Sequence, residues 1–388
     1  MLDLSDIGAA KPSDKLVWRD EGERWVSQPR QHAPGLDSFM AWAHGLGAEE
    51  IKFKTWSQAQ FTLYDDNYRI PRLPLDEAEA SLIVNHLYGA DGMARLQGGH
   101  DFDVMYVIGL SRTETLRFRV NATSTVTSRG DGVDVSIRPV KDLPPPLEVQ
   151  NVEPEILESY HPREGLVMVS GATGSGKSTL IGGMTVAKLL DPNKHRNILE
   201  CAAPIEFLLD RVKSPHSSIS QSEIPRNLKS FEAFMRGAMR RHPTDIIVGE
   251  CRDGVTMKET INAAISGHST ITTTHAKNVA ATMQRIAVLC PLEERESLTV
   301  AAAQSLHLIV NQRLVKSTDG KRTALREFLA FDEKLRARLT DAPVDQWPRV
   351  TREAVETQGQ SYERAIEIAL REERITKEAA DDVRRELK

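Results

Sequence analysis

Residues Gly171-Ala172-Thr173-Gly174-Ser175-Gly176-Lys177-Ser178 match GxxxxGK[ST], and their setting decides the fold. Leu166-Val167-Met168-Val169 just before them is an apolar run of strand length. After Lys177, apolar residues recur at helical spacing as far as Leu190. Strand, glycine-rich turn and helix in that order are what a phosphate-binding loop requires. Glycines let backbone N–H groups turn toward an anion, and the helix N-terminus adds a favourable dipole. Gly171, Ala172, Thr173, Gly174, Ser175, Gly176, Lys177, Ser178 and Thr179 are therefore the candidate nucleotide-binding residues. In such a loop Lys177 reaches the β- and γ-phosphates of ATP, and the Ser178 hydroxyl ligates Mg²⁺.

Downstream, Ile246-Ile247-Val248-Gly249-Glu250 reads as a buried strand ending in a carboxylate. In a phosphate-loop fold, acids at such a strand end meet the metal or the attacking water, which makes Glu250 the candidate water activator. Arg252 and Asp253 follow directly and are equally compatible with a turn ion pair. His268 and His275 lie seven apart, and Thr272-Thr273-Thr274 puts His275 at a strand end on the same side of the sheet. There an imidazole can hydrogen-bond a γ-phosphate, although a lone histidine also serves as a packing or capping residue. No close third ligand accompanies them, so zinc is not expected.

Strand patterns at residues 166–169, 197–199, 246–248 and 270–273 alternate with helical patterns at 177–190, 231–241 and 257–265. That alternation predicts a largely parallel sheet covered by helices. Upstream, Leu143-Pro144-Pro145-Pro146-Leu147 reads as a stiff extended linker. It is preceded by two helical patterns and several short strand patterns, an α+β domain. The expected organisation is a flexible extension at 1–34, an N-terminal domain at 35–142, a proline-rich linker at 143–150, an ATPase domain at 151–345 and charged C-terminal helices at 346–388. From Glu363 onward eight acidic and seven basic residues predict a solvated helical face.

Composition narrows the partners. A length of 388 residues fits two or three domains, and 40% hydrophobic with 27% charged residues is an ordinary globular balance. Aromatics at 5% offer no stacking platform for single strands, and a net charge of −5 argues against coating duplex, so no direct sequence-specific nucleic acid binding is expected. Cys201, Cys251 and Cys290 have no CxxC spacing, which excludes a cysteine zinc framework and fits a reducing cytosol. The acidic start Met1-Leu2-Asp3-Leu4-Ser5-Asp6 is not expected to be a signal peptide. No apolar run approaches the roughly 18–20 residues of a membrane span, so work at a membrane is expected to go through partners.

Five blocks, in order, resemble the hexameric motor ATPases of type II and type IV secretion and of pilus retraction. They are Arg117-Phe118-Arg119-Val120-Asn121, the run from Gly165 to Thr179, Gln221-Ser222-Glu223-Ile224-Pro225-Arg226 with Phe231, Val248-Gly249-Glu250-Cys251-Arg252-Asp253, and Ser266-Gly267-His268 through Thr274-His275. Within that superfamily the chain is most similar to the DotB type of Dot/Icm secretion and the TraJ type of conjugative plasmids, over residues 36 to 340 or so.

The resemblance implies an α/β fold class: a PAS-like α+β N-terminal domain, then a RecA-like P-loop ATPase domain with C-terminal helices. It implies a homohexamer with ATP and Mg²⁺ as cofactors and the nucleotide held between the two domains. It further implies docking on the cytoplasmic face of an inner-membrane secretion or conjugation complex, hence a cytoplasmic, peripherally associated protein. Glu250, Glu206, His275, Arg117, Arg119 and Arg252 match the family's catalytic positions. Guanidinium groups there would neutralise charge on the transferring phosphoryl.

One block departs from the family. Its acidic box stands here as Glu200-Cys201-Ala202-Ala203-Pro204-Ile205-Glu206-Phe207, so the first family glutamate falls on Ala202 and Glu206 keeps the second. Glu200 lies two residues earlier, on the same side of a strand but displaced by about 6–7 Å. Losing one acid–base contribution typically costs about 10²–10⁴-fold. The leading expectation is an ATPase motor for type IV secretion or conjugal transfer. The alternatives are a pilus retraction motor and a nucleotide-binding ring with weak hydrolysis that acts as an assembly module.

Overall fold

The computed structural model describes residues 34–63, 66–70, 73–111, 114–140, 143–224 and 226–387. The expected extension at 1–34 thus lies outside the described residues except for Pro34, and Pro225 of the third block lies outside them too. The chain divides into two compact units, Met1–Asp142 and Leu143–Lys388.

The first unit contains α1 (Pro34–Gly45), β1 (Glu50–Lys54), β2 (Gln60–Leu63), β3 (Asp66–Arg69), α2 (Glu77–Tyr88), α3 (Gly92–Gln97), β4 (Phe102–Gly109), β5 (Thr115–Thr127) and β6 (Gly130–Val140). Its six strands form an antiparallel sheet in the order β3-β2-β1-β6-β5-β4. Asp76 caps α2, its carboxylate accepting from the Glu79 N–H at 2.8 Å. Leu36, Phe39 and Met40 of α1 and Ile83 and Val84 of α2 share one core with Ile51, Phe53, Phe118 and Val120. Because side chains alternate along a strand, burying Phe118 and Val120 turns Arg117 and Arg119 of β5 to the other face of the sheet.

The second unit contains α4 (Pro154–Ser159), β7 (Gly165–Ser170), α5 (Lys177–Leu190), β8 (Asn197–Ala202), β9 (Ser218–Glu223), α6 (Phe231–Ala238), β10 (Asp245–Val248), α7 (Gly254–Ile265), β11 (Ser269–Thr274), α8 (Val279–Leu289), α9 (Arg295–Ser305), β12 (Leu306–Lys316), β13 (Arg322–Ala330) and four C-terminal helices. These last are α10 (Glu333–Asp341), α11 (Trp347–Gln358), α12 (Tyr362–Arg371) and α13 (Lys377–Leu387). The sheet order is β13-β12-β7-β11-β10-β8-β9, parallel throughout except for β13, which pairs antiparallel with β12. Leu180, Ile181 and Met184 of α5 pack on one face of it, against Val167, Ile198 and Ile247. Phe234, Ile261, Met283 and Ala302 from α6 to α9 pack on the other. The α/β class implied by the resemblance is the class observed, with helices on both faces of the parallel strands.

Two local expectations need correction. The proline-rich stretch is not a bare spacer. Leu147–Gln150 forms a short 3-10 helix, and Leu147 is buried in the core beneath α5, where Gly182 and Gly183 leave room for Pro144 and Leu147. Nor are the last helices only a solvated face. Tyr362, Ala365, Ile366, Ala369, Ile375, Ala380 and Val383 bury an apolar side on Leu325 of β13, and the charges occupy the opposite side.

A buried ion cluster fixes the far end of α5. The Lys188 ammonium donates to Asp245 Oδ1 at 2.6 Å, and Arg196 donates to Oδ2 at 2.9 Å. Burial pushes the Asp245 pKa up, but Lys188 and Arg196 outweigh it and hold the carboxyl below its usual range. Removing one partner of such a pair strands a buried charge. We expect Asp245→Asn to lose about 3–5 kcal/mol of stability at pH 7. A carboxyl with a depressed folded pKa contributes its stability above its unfolded pKa of about 3.9 and loses it below. The deficit should therefore shrink as the pH falls below about 4, which urea titrations of both proteins across that range check.

Candidate functional site

The loop from Gly171 to Gly176 turns the chain from β7 into α5 through backbone that only glycine adopts without strain. Gly171, Gly174 and Gly176 have φ of 146°, 77° and 82°. Space is as restrictive as conformation. A Cβ on Gly171 would lie 2.4 Å from the Gln312 carbonyl oxygen, and one on Gly176 would lie 2.8 Å from Gln312 Nε2. Lys177 opens α5 and folds back, its ammonium donating to the carbonyls of Gly171 and Ala172, both at 2.9 Å. Ser178 follows in the first helical turn, and Thr173 and Gly174 are exposed at the loop tip. The curled loop, the lysine above it and the helix N-terminus beneath fit a phosphate chain.

Glu250 stands two residues beyond β10, on a segment pinned to both neighbouring strands. Gly249 N–H donates to the Cys201 carbonyl at 2.7 Å, and Cys251 N–H donates to the Thr273 carbonyl at 2.9 Å. The Glu250 carboxylate meets Arg252 NH2 at 2.7 Å and His275 Nε2 at 3.0 Å. Burial pushes its pKa up, and Arg252, His275 and Lys177 outweigh that and hold it below the usual carboxylate range. The other His275 nitrogen, Nδ1, lies 3.2 Å from the Gly171 carbonyl. His275 thus bridges the start of the loop and the acid, and because both partners accept, a neutral ring can donate to only one of them.

Glu206 lies on the exposed loop after β8 and acts on the Lys177 ammonium electrostatically together with Glu250. Burial pulls the Lys177 pKa down, and these two carboxylates oppose it. Lys177, Glu250, Arg252, His275 and Glu206 are therefore brought together. Arg117 and Arg119 belong to the first unit. Arg117 is 4% exposed, and Arg119 forks onto Asp103 through Nε at 3.0 Å and NH2 at 2.5 Å.

At the acidic box, Ala202 ends β8 with its methyl against Gly249. Glu200 accepts a hydrogen bond from Gln221 Nε2 at 2.6 Å, and the same amide nitrogen donates to the Phe207 carbonyl at 2.8 Å. Burial is the first cause that pushes its pKa up to about 7; the Gln221 bond opposes it and Glu206 adds to it.

The sequence reading missed the part played by β12 and α13. A cavity of about 780 Å³ adjoins the loop, bounded by Ala172, Gly174, His275, Arg313 and Lys316 on one side and by Asp382 and Glu386 of α13 on the other. Arg313 reaches Glu386 at 2.9 Å and lies over the Tyr362 ring at 5.2 Å. The available signal was the apolar run at residues 308–310, followed by Asn311, Gln312 and Arg313.

Comparison with known proteins gives consistent matches. A family model described as Type II/IV secretion system protein matches residues 105–379. The type IV pilus retractation ATPase PilT of Pseudomonas aeruginosa is 32% identical, over 80% of this chain and 87% of its own length. The X-ray structure of the Legionella pneumophila ATPase DotB superposes with a TM-score of 0.80 at 33% identity, covering 90% of this chain and 94% of that one. The pilus retraction motor PilT with bound ADP superposes with a TM-score of 0.74 at 25% identity, covering 89% of this chain and 95% of that one.

The state of Glu200 is open to a direct test. With a folded pKa of about 7 against about 4.3 unfolded, the folded chain holds an extra proton between those values and loses stability as the pH rises through 7. Glu200→Gln keeps an acceptor for Gln221 and cannot ionise. We expect the variant to melt at the wild-type temperature at pH 4 and several degrees higher at pH 8.5. Thermal melts at the two pH values decide it.

Proposed function

This chain belongs to the Type II/IV secretion system protein family, and on that footing we propose that it is a Mg²⁺-dependent ATP hydrolase. In this reading it is a homohexameric motor that powers type IV secretion or conjugal plasmid transfer, docked peripherally on the cytoplasmic face of an inner-membrane complex. The observation that carries the proposal is the clustering of Lys177, Glu250 and His275 around a glycine loop. Among the described residues no helix is long and apolar enough to cross a membrane, which is compatible with docking through partners.

The residues divide the work as follows. Backbone N–H groups of the loop and the Lys177 ammonium bind and neutralise the phosphates. Glu250, kept ionised, accepts the proton of the attacking water, and Arg252 and His275 orient its two oxygens. Ser178 would hold Mg²⁺, and Glu206 adds negative charge that acts on Lys177. The ion, when bound, withdraws charge from the transferring phosphoryl. Arg117 and Arg119 enter the proposal as further guanidinium groups for phosphoryl charge, supported by their place in the Arg117-Phe118-Arg119-Val120-Asn121 block.

Similarity to DotB across nearly its whole length supports a secretion role, and similarity to PilT keeps pilus retraction as the alternative. A second reading, an ATP-binding ring with weak turnover that acts as an assembly module, is favoured by one observation, the methyl group of Ala202 where the family has a carboxylate.

Lys177→Ala should abolish ATP binding and turnover while leaving circular dichroism unchanged. Glu250→Gln should bind ATP with near wild-type affinity and lose about 10²–10⁴-fold in turnover. Phosphate release and nucleotide titration on the same preparations check both. Wild-type turnover in either variant would sink the assignment, and a wild-type rate as low as that of Glu250→Gln would favour the assembly module.

A further inference from the structure

Gln312 of β12 backs the phosphate loop from its first residue to its last. Its main-chain carbonyl fills the space that a Gly171 side chain would need, and its side-chain nitrogen fills the corresponding space at Gly176. That Nε2 donates to the Ser175 carbonyl at 2.7 Å, while Oε1 accepts from Arg326 Nε at 2.7 Å. Both side chains are buried, Gln312 at 3% and Arg326 at 1% exposure.

Arg326 is itself fixed by the segment through which the chain enters the second unit. NH1 donates to the Asn151 carbonyl at 2.7 Å and to Glu153 Oε2 at 3.0 Å, and NH2 donates to the Gln150 carbonyl at 2.9 Å. From the same segment Gln150 Nε2 donates to the Thr179 carbonyl in the first turn of α5 at 3.3 Å.

An amide side chain has one accepting and one donating end. A guanidinium can only donate, so Arg326 compels Gln312 to offer its oxygen to the arginine and its nitrogen to the loop. Without Arg326 the amide is free to flip and set oxygen against the Ser175 carbonyl.

We propose that Gln312 and Arg326 are positioning residues for nucleotide binding: Gln312 holds the loop in its anion-ready curl, and Arg326 sets the orientation of Gln312 and ties it to residues 150–153. This rests on the reading of the loop as an ATP site. Neither residue is in the phosphate-binding motif, and Gln312 reaches the ligand only through the loop it supports. A displacement of residues 150–153 is passed to Arg326, and from Arg326 to the Ser175 carbonyl through two buried hydrogen bonds.

The test uses the full chain with Mg²⁺ and ADP or ATP. Gln312→Glu keeps an oxygen for Arg326, now as an ion pair, but sets an acceptor against an acceptor at Ser175. Gln312→Met removes both bonds at similar volume. We expect Gln312→Glu to melt somewhat earlier without nucleotide, to weaken ADP binding about tenfold or more, and to raise KM for ATP far more than it lowers kcat. Gln312→Met should weaken binding comparably while also melting earlier. Arg326→Lys, which keeps the charge but not the fork, should weaken binding less, and the Gln312→Met, Arg326→Lys double variant should fall short of the sum of the two.

Wild-type ADP affinity in Gln312→Glu, or in Gln312→Met should Gln312→Glu fail to fold, overturns the proposal, as does strict additivity in the cycle. A loss of melting temperature with affinity intact would make the pair a plain strut and overturns it too. Absence of ADP binding by the wild-type chain overturns the nucleotide reading itself, and this proposal with it.

Discussion

A chain that leaves β7 and enters α5 within six residues turns here through backbone with positive φ. Gly171, Gly174 and Gly176 supply that freedom, and at Gly171 and Gly176 any side chain would also collide with Gln312. The rest of the second unit follows from this turn. It places Lys177 at the helix start, where its ammonium returns over the loop carbonyls, and it aims α5 back across the sheet. The parallel neighbours β11 and β10 then deliver His275 and Glu250 to the same end.

The turn is held from outside as well as from within. Lys188, Asp245 and Arg196 fix the C-terminal end of α5 to the start of β10. At the opposite end Gln312, Arg326 and Gln150 fix the loop and the first helical turn. Arg326 has four oxygen partners and Lys188 is paired with the Asp245 carboxylate, as the burial of a cation demands. Between the two anchors lies an apolar contact of Leu180, Ile181 and Met184 with the sheet. Chemistry is therefore presented at the exposed tip, around Thr173 and Gly174, while the flanks are anchored.

Much of this was legible in the residues. The helix predicted over 177–190 is α5 to the residue, because its apolar spacing and the loop before it specify both ends. The strands leading to Glu250 and His275 were legible because a parallel strand buried on both faces reads as a near-continuous apolar or β-branched run. The hairpin of β12 and β13 was not read, although Asp319-Gly320 between two strand patterns marks its turn, with Gly320 at φ 79°. Its partner set is long-range: Gln312 meets Ser175 and Arg326 meets Gln150 across more than a hundred residues, and no local pattern encodes such a pair. The C-terminal helices misled for another reason. Their dense charge hid an apolar stripe of small residues, Ala365, Ala369 and Ala380, whose burial depends on Leu325 being there to receive them. Glu200 carried a signal in the displaced acidic box, but only its contact with Gln221 showed where the carboxyl goes.

The central claim is that this loop, so braced, binds the phosphates of a nucleotide with Mg²⁺. The most direct measurement is a calorimetric titration of the full chain with ADP, with and without Mg²⁺. The account predicts saturable binding at one site per chain that weakens when Mg²⁺ is withdrawn. No detectable heat or displacement at millimolar nucleotide in either condition would contradict it.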